Sequence, residues 1–422
     1  MTTYEEHFSK ALNFIQTYKS LVDCHLVDFI TQNLWESCLP DSLRLELEIH
    51  GPDNKFGTKI DTKGDSKLNE FFKSTKLLSL DGCPFIYELK DLSRFLSSNA
   101  YNRQAENQLK QTKLNFMKNK KCHEVDVMAK LVSKLSHSDS DIVIDAGAGK
   151  GYLSMHLSEN FGIQVLAIDS SSVNHKGAIR RQEIIKKKTQ RNISVHYTVE
   201  HINDKTNFES LVKMHYPSYD PPGNLILTGL HTCGSLAHST IKAFLASDSI
   251  KKLCIVSCCY HLTKESLTEE CNFTKNARML AQQSVERLSK KDKPLSSSLF
   301  YRAILQVLLE SMGLRDVKIG RGAPADNFEQ YARWVIETCE KREIKIPSVE
   351  ALREIYEEHA NLEWKIEVFQ MLRVHLGSVV EAALLLDRIM YLERSKRCSK
   401  VGLFRLFDPV LSPRCYAIIA IK

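Results

Sequence analysis

No stretch of this 422-residue chain approaches the ~18–20 uninterrupted apolar residues that would span a bilayer. The most apolar candidate, "SVVEAALLLDRIMYL" (378–392), is interrupted by Glu381 and Asp387 and reads as a core helix. The N-terminus, "MTTYEEHFSKALNF", lacks the basic stretch and apolar core of a secretory signal. Internal repeats and low-complexity tracts are missing as well. These absences exclude the membrane-spanning, secreted and repeat classes from the expectation and leave a cytoplasmic or nuclear address. In that reducing setting the twelve cysteines, with Cys258 and Cys259 adjacent, are expected as thiols and not disulfides.

What is present fits an ordinary globular protein with a sizeable core. Lys plus Arg number 58 against 51 for Asp plus Glu, a net charge of +7 that allows nucleic acid as a partner without requiring it. Residues 4–38 carry apolar positions at three- and four-residue steps and read as helix. The Gly-, Pro- and Ser-rich 40–75 reads as loop, and 86–118 as helix ending in the basic "MKNKK".

From 122 the pattern changes. "DIVIDAGAGKG", "IQVLAIDSS", "ISVHYTVE", "NLILTGL" and "KLCIVSCCY" are short apolar runs, separated by amphipathic helical segments. Such alternation argues a parallel, doubly wound sheet. Residues 275–400 are then almost wholly helical in pattern, and two apolar runs, 403–407 and 415–421, flank "DPVLSP" as a hairpin. The expected fold is α/β: a Rossmann-like, seven-stranded class I methyltransferase sheet. The expected division is a helical N-terminal module (1–118), a core (119–274), a helical insertion (275–400) before the last two strands, and a hairpin (401–422) completing the sheet.

The loop "DAGAGKGYLS" (145–154) follows the first of these strands. Its glycines, Gly147, Gly149 and Gly151, let the backbone turn tightly and approach a ligand. The spacing is G-x-G-x-G and not the G-x-G-x-x-G that accommodates a dinucleotide pyrophosphate. It matches the S-adenosylmethionine loop of Rossmann-like methyltransferases, with Asp145 facing the cationic methionine end of the cofactor. Asp169, about 20 residues on at the end of the next strand, is placed to accept ribose hydroxyls. Glu200, ending the third strand, is the candidate for the adenine side.

"KKCHEVDVMAKLV", "DAGAGKGYLS", "GLHTCGSLA", "SCCYHLT" and "CYAIIAIK" together resemble the methyltransferase-like protein 25 family, including its 25B branch, from about residue 115 to the end. The resemblance implies a cofactor-binding methyltransferase fold and transfers no defined substrate. "HTCG" and "CCYH" also resemble motifs of the tRNA acceptor-stem 2′-O-methyltransferases, without the zinc-binding N-terminal segment of those enzymes. The 25B branch has carried an adenine dimethylase label. That chemistry resembles an "NPPY" or "NLPY" pattern after the fourth strand, where this chain has "LHTCG", so N6-dimethylation is disfavoured.

"LHTCG" (230–234) and "SCCYH" (257–261) both follow parallel strands, on the edge where open α/β sheets bind ligands. Three readings stay open: His231 or His261 as general base or orienter, a metal site of Cys and His, or buried packing of strand ends. Side-chain alternation would send Cys258 and Cys259 to opposite faces, which counts against a compact zinc cluster, and no metal ligand is assigned. A cysteine nucleophile for C5-cytosine methylation would need a Pro-Cys motif that is missing.

The helix 174–191 carries Lys176, Arg180, Arg181, Lys186, Lys187, Lys188 and Arg191 against Glu183 alone. Arg180, Arg181 and Lys187, joined by Arg321 in "GRGAPADN", are the candidate substrate contacts, for phosphates of RNA such as tRNA or rRNA. A solvated surface helix is the competing reading, and no aromatic single-strand platform accompanies it. The function expected is a methyltransferase using S-adenosylmethionine, acting on RNA. A protein substrate is the alternative, and a non-catalytic interaction module retaining the fold is the other. Oligomeric state is not readable.

Overall fold

Each of the five apolar runs that alternate with amphipathic helices becomes a parallel strand of one sheet in the computed structural model, which describes residues 3–51, 66–96, 117–136, 140–189, 193–220, 223–285 and 297–422. The strands are β1 (Ile86–Glu88), β2 (Ile142–Ala146), β3 (Gln164–Asp169), β4 (Val195–Val199), β5 (Leu225–Cys233), β6 (Ile250–Cys258), β7 (Lys400–Arg405) and β8 (Tyr416–Ile421). Their order is β1-β7-β8-β6-β5-β2-β3-β4. Strands β2 to β6 are parallel, and β8 is antiparallel to both β6 and β7. Every residue of β2 is buried, which is why it reads as a continuous apolar run and not as an alternation.

The sheet has eight strands where seven were expected. The extra one, β1, pairs in parallel with β7 at the edge. It lies in a segment read as helix, and three residues are too few to show a period of two. Tyr4 secures it: its hydroxyl donates to the Phe85 carbonyl at 2.7 Å and accepts from the Leu403 N–H at 3.3 Å. Part of 40–75, read as loop, is also helical. Asp41–His50 and Lys67–Leu78 are helices, the first burying Leu43 and Leu47 one turn apart between Pro40 and Gly51. Residues 52–65, 97–116 and Arg191 lie outside the described residues.

Two units emerge, each assembled from separated stretches. One holds the sheet and comprises Met1–Ser9, Cys83–Phe273 and Ala382–Lys422; the other comprises Lys10–Gly82 and Thr274–Glu381. The boundary expected at 274 lies within one residue of the observed one, whereas those expected at 118 and 400 are redrawn. Residues 83–96 group with the sheet through β1, and 382–400 do so through the C-terminal part of the helix Glu363–Arg394.

The second unit is helical. The Arg373 guanidinium, 7% exposed, donates to the carbonyls of Leu21 and Cys24, both at 2.8 Å, at the C-terminal end of the short helix Lys19–Asp23. Phe328 stacks on Tyr356 with ring centroids 4.3 Å apart, and Trp35 meets Trp364 edge-on at 5.5 Å. By length and composition the segment Val349–Arg394 is apolar enough to cross a membrane. Its apolar window is 83% buried inside the protein, the profile of a core helix.

Within the sheet unit, Asp387 (2% exposed) accepts from the Leu267 N–H at 3.1 Å, the Thr268 N–H at 2.8 Å and the Thr268 hydroxyl at 2.6 Å. Asp387→Ala strands these donors in the interior beside the buried Arg388. It is expected to destabilise the protein by about 3 kcal/mol, read as a lowered urea midpoint. A midpoint within error of wild type would show that the carboxylate is dispensable.

Candidate active site

Strand order reverses at β2, which lies between β3 and β5, so the loops after these strands part and leave a crevice at their carboxyl ends. A cavity of about 610 Å³ opens there, a volume typical of small-ligand sites. Its walls come from the loop after β2, the ends of β3 and β4, the end of β5 with the turn that follows it (230–236), and the N-terminal part of the helix Asn119–Leu135.

The glycine loop is held from within. Gly147 and Ala148 both donate to the Ile168 carbonyl, at 2.9 and 3.0 Å, and Gly151 donates to Ala148 at 2.9 Å. Gly149 donates to the Asp169 carboxylate at 2.8 Å. These amides are therefore used up inside the protein and do not form the ring of free N–H groups that cradles a phosphate. Gly149 has φ +58° with open space around it, so the backbone conformation is what demands glycine. At Gly151, φ is +67° and a Cβ would lie 2.6 Å from the Tyr197 ring. Gly151 does not line the cavity; it gives room to Tyr197 and starts the helix Tyr152–Phe161.

Three acids line the cavity: Asp145, Asp169 and Glu200. Asp145 sits inside β2, 2% exposed, and accepts from the Ser154 hydroxyl at 2.6 Å. Burial raises its carboxyl, more than offsetting the Ser154 hydrogen bond, and the charge of Asp169 adds to the rise. The result is about 6, against an ordinary 3.8. Asp169 accepts from Ser171 N–H (2.9 Å) and the Asn174 amide (3.1 Å) besides Gly149, so it shapes the loop as well as facing the cavity. Glu200 is exposed just past β4.

His231 lines the cavity, half-exposed, with Nε2 at 3.3 Å from a Glu124 carboxylate oxygen. Glu124 is buried on the helix Asn119–Leu135; its other oxygen accepts from Ser412 at 2.5 Å and lies 3.4 Å from Lys120 Nζ. Burial pushes this carboxyl up, but the hydrogen bonds from His231 and Ser412 and the charges of His231 and Lys120 outweigh it and hold it at about 2. An ionised Glu124 accepting from Nε2 leaves the Nδ1 lone pair free to take a proton and supports the imidazolium that results. Sequence reading passed over Glu124: it stands 107 positions from His231, and no local pattern links them. His261 belongs to a short 3-10 turn and does not line the cavity; its neighbour Leu262 does.

The basic residues divide. Arg181 is turned inward, its guanidinium 3.6 Å from the Tyr152 ring centroid and donating to the Tyr152 hydroxyl at 2.7 Å. Lys121 Nζ stands 3.9 Å from the same ring, and burial, with Arg181 nearby, lowers its ammonium. Arg180 and Lys187 are exposed on the helix Ser172–Thr189, seven residues apart and so on one face. Arg321 is exposed and belongs to the helical unit.

Cys258 and Cys259 were expected to face apart. The strand ends at Cys258, and Cys259 adopts a left-handed backbone with φ +50° and ψ +48°, so the alternation stops there. The sulfurs of Cys233, Cys258 and Cys259 all lie within 4.8 Å of one another.

Residues 120–266 match a protein family described as a methyltransferase domain. This part of the chain is a methyltransferase domain. Over its whole length the chain is similar to the human "Probable methyltransferase-like protein 25", 26% identical over an alignment covering 97% of this chain and 96% of that protein. The corresponding mouse protein is 24% identical, with 100% and 97% covered. A solved structure of coclaurine N-methyltransferase, bound to N-methylheliamine and SAH, aligns with 98% of this chain at 10% identity. Its TM-score is 0.25, too low to establish a common fold over that length.

The domain implies S-adenosylmethionine as cofactor, and the cavity fits it. Its acids suit a cationic amino acid and a ribose, and its loop amides are already taken, as a ligand without a pyrophosphate allows. When bound, the cofactor supplies a methyl group activated on a sulfonium. Because the folded protein holds the Asp145 proton more tightly than the unfolded chain, stability falls as pH rises from about 4 through about 6, and the deficit is complete above it. Asp145→Asn, which keeps an acceptor for Ser154, is expected to be more stable than wild type by roughly 2–3 kcal/mol at neutral pH, from about 1.4 kcal/mol for each pK unit. The gain should vanish towards pH 4. Denaturation midpoints across that range test this; a gain independent of pH would contradict it.

Proposed function

We propose that this chain is an S-adenosylmethionine-dependent methyltransferase whose acceptor is RNA, working in the cytoplasm or nucleus. The observation that carries the enzyme reading is the convergence of Asp145, Asp169 and the glycine loop on one cavity at the strand-order reversal. Asp169 accepts from the ribose, Asp145 in its ionised form balances the cationic methionine end, and the surrounding apolar walls exclude water from the methyl group. His231, held by Glu124, takes the proton that an acceptor hydroxyl or amine gives up.

The RNA reading is supported by charge around the cavity. Lys121 and Arg181 share Tyr152, a residue of the cavity wall, while Arg180 and Lys187 extend the positive charge outward along one helix face. Arg181 is engaged with Tyr152, so its part is to stiffen that wall, and the phosphate contacts fall to Arg180 and Lys187.

Calorimetric titration with S-adenosylmethionine tests the cofactor. Asp169→Ala should weaken binding at least about tenfold, the loss of a hydrogen bond to a charged group. Wild-type affinity should fall as pH drops below about 6, where Asp145 gains its proton. No binding by folded wild-type protein would remove the enzyme reading.

RNA binding, measured by fluorescence anisotropy over a salt series, should show a steep dependence on ionic strength. Arg180→Ala with Lys187→Ala should flatten the log–log slope by about 1–2, roughly 1 for each phosphate contact removed. An unchanged slope would take this helix out of the RNA contact. Tight binding of a protein substrate with none of RNA would turn the assignment to the protein alternative.

A further inference from the structure

The three cysteines at the ends of β5 and β6 have no role in the reading of the site given above, yet the fold brings them together. Cys233 and Cys258 are direct partners in the parallel ladder, so their side chains leave the sheet on the same face. They reach that register only after an irregularity between Gly229 and Thr232. Cys259 then takes a left-handed backbone, a conformation unfavourable for a residue other than glycine. Conformations of this kind persist where surrounding structure enforces them and cluster at functional sites. Here the conformation returns a third thiol to the other two.

Spacing and ligand type both suit a cation. Zinc–thiolate bonds of about 2.3 Å in a tetrahedron put sulfurs about 3.8 Å apart, within the 4.8 Å that bounds the three here. Cys233 and Cys258 stand 3.0 Å apart as a hydrogen-bonded pair. A cation of high thiolate affinity releases the protons of the three thiols to solvent and takes all three sulfurs. Three thiolates select a borderline-soft ion over Mg²⁺ or Ca²⁺. Among the described residues no fourth Cys, His, Asp or Glu joins the group, and Cys233 is part of the cavity wall.

We propose that Cys233, Cys258 and Cys259 form a three-thiolate Zn²⁺ site whose fourth coordination position opens on the cavity. Closed four-ligand sites are structural, whereas a three-ligand site keeps a place for water or for a donor atom of a bound molecule. The site stands on the thiol geometry alone and does not depend on which acceptor the enzyme uses.

The test is metal content of the full chain purified under reductant, by inductively coupled plasma mass spectrometry, followed by Co²⁺ titration of the stripped protein. About one zinc per chain is expected, with a thiolate-to-cobalt charge-transfer band and intense tetrahedral visible bands. Cys233→Ser, Cys258→Ser and Cys259→Ser should each weaken zinc binding more than about tenfold, since even outer-shell losses cost that much. Far-UV circular dichroism and urea midpoints show whether each variant still folds. Should the variants not fold, zinc must still protect all three wild-type thiols from iodoacetamide, mapped by peptide mass spectrometry. Substoichiometric zinc with no cobalt–thiolate band would overturn the proposal. So would recovery of a Cys233–Cys258 disulfide from protein alkylated at lysis, which would make the pair a redox couple.

Discussion

The constraint on which the rest depends is the reversal of strand order at β2. A parallel sheet buried on both faces must carry its crossover helices above and below, and the chain therefore winds away from its central strand in two directions. Loops leaving β2 and β5 cannot pack against each other at that point, and the gap between them becomes the cavity. The glycine loop, Asp169, Glu200 and His231 reach it from strand ends or the turns just after them, while Lys121 and Glu124 come from the helix that precedes β2. The apolar runs supply the platform, and the few residues after each run supply the site.

One polar group breaks this division. Asp145 lies within the most deeply buried strand of the sheet, where a carboxylate is least welcome, and only Ser154 answers it directly. Tyr197 and Asp169 crowd the same region, and the Tyr197 hydroxyl is buried without a hydrogen-bond partner. A fold optimised for stability alone would place an aliphatic residue there. Keeping an acid facing the cavity preorganises negative charge for a cation that gives up its water on binding. Lys121 and Arg181 both pack against the ring of Tyr152, so charges of both signs border the one cavity.

The core was legible because its signal is repetitive. Strands buried on both faces read as apolar runs, helices as periodic ones, and the glycine loop and Asp169 stand at offsets that the mechanism prescribes. Legibility failed wherever the structure depends on something local sequence does not encode. The helix Asp41–His50 hides in turn-rich composition because its capping residues, Pro40 and Gly51, look the same as those of a loop. Glu124 and Tyr152 acquire their roles through partners far away in sequence. Gly151 was read as a ligand contact, but its missing side chain makes room for Tyr197. At Cys259 the alternation rule was applied one residue past the strand's end, and nothing about a cysteine announces a positive φ.

The position of β8 has a consequence for how the molecule is made. It follows β6 and β7 in the chain, yet it is inserted between them as their shared antiparallel partner. Until that segment leaves the ribosome, β6 ends the parallel sheet with an unpaired row of backbone donors and acceptors, above an apolar surface. The 141 residues between β6 and β7 must emerge during this interval. The sheet is thus closed by a strand made after both of its neighbours, and its nascent form has an adhesive edge that an intramolecular strand must win before another chain does.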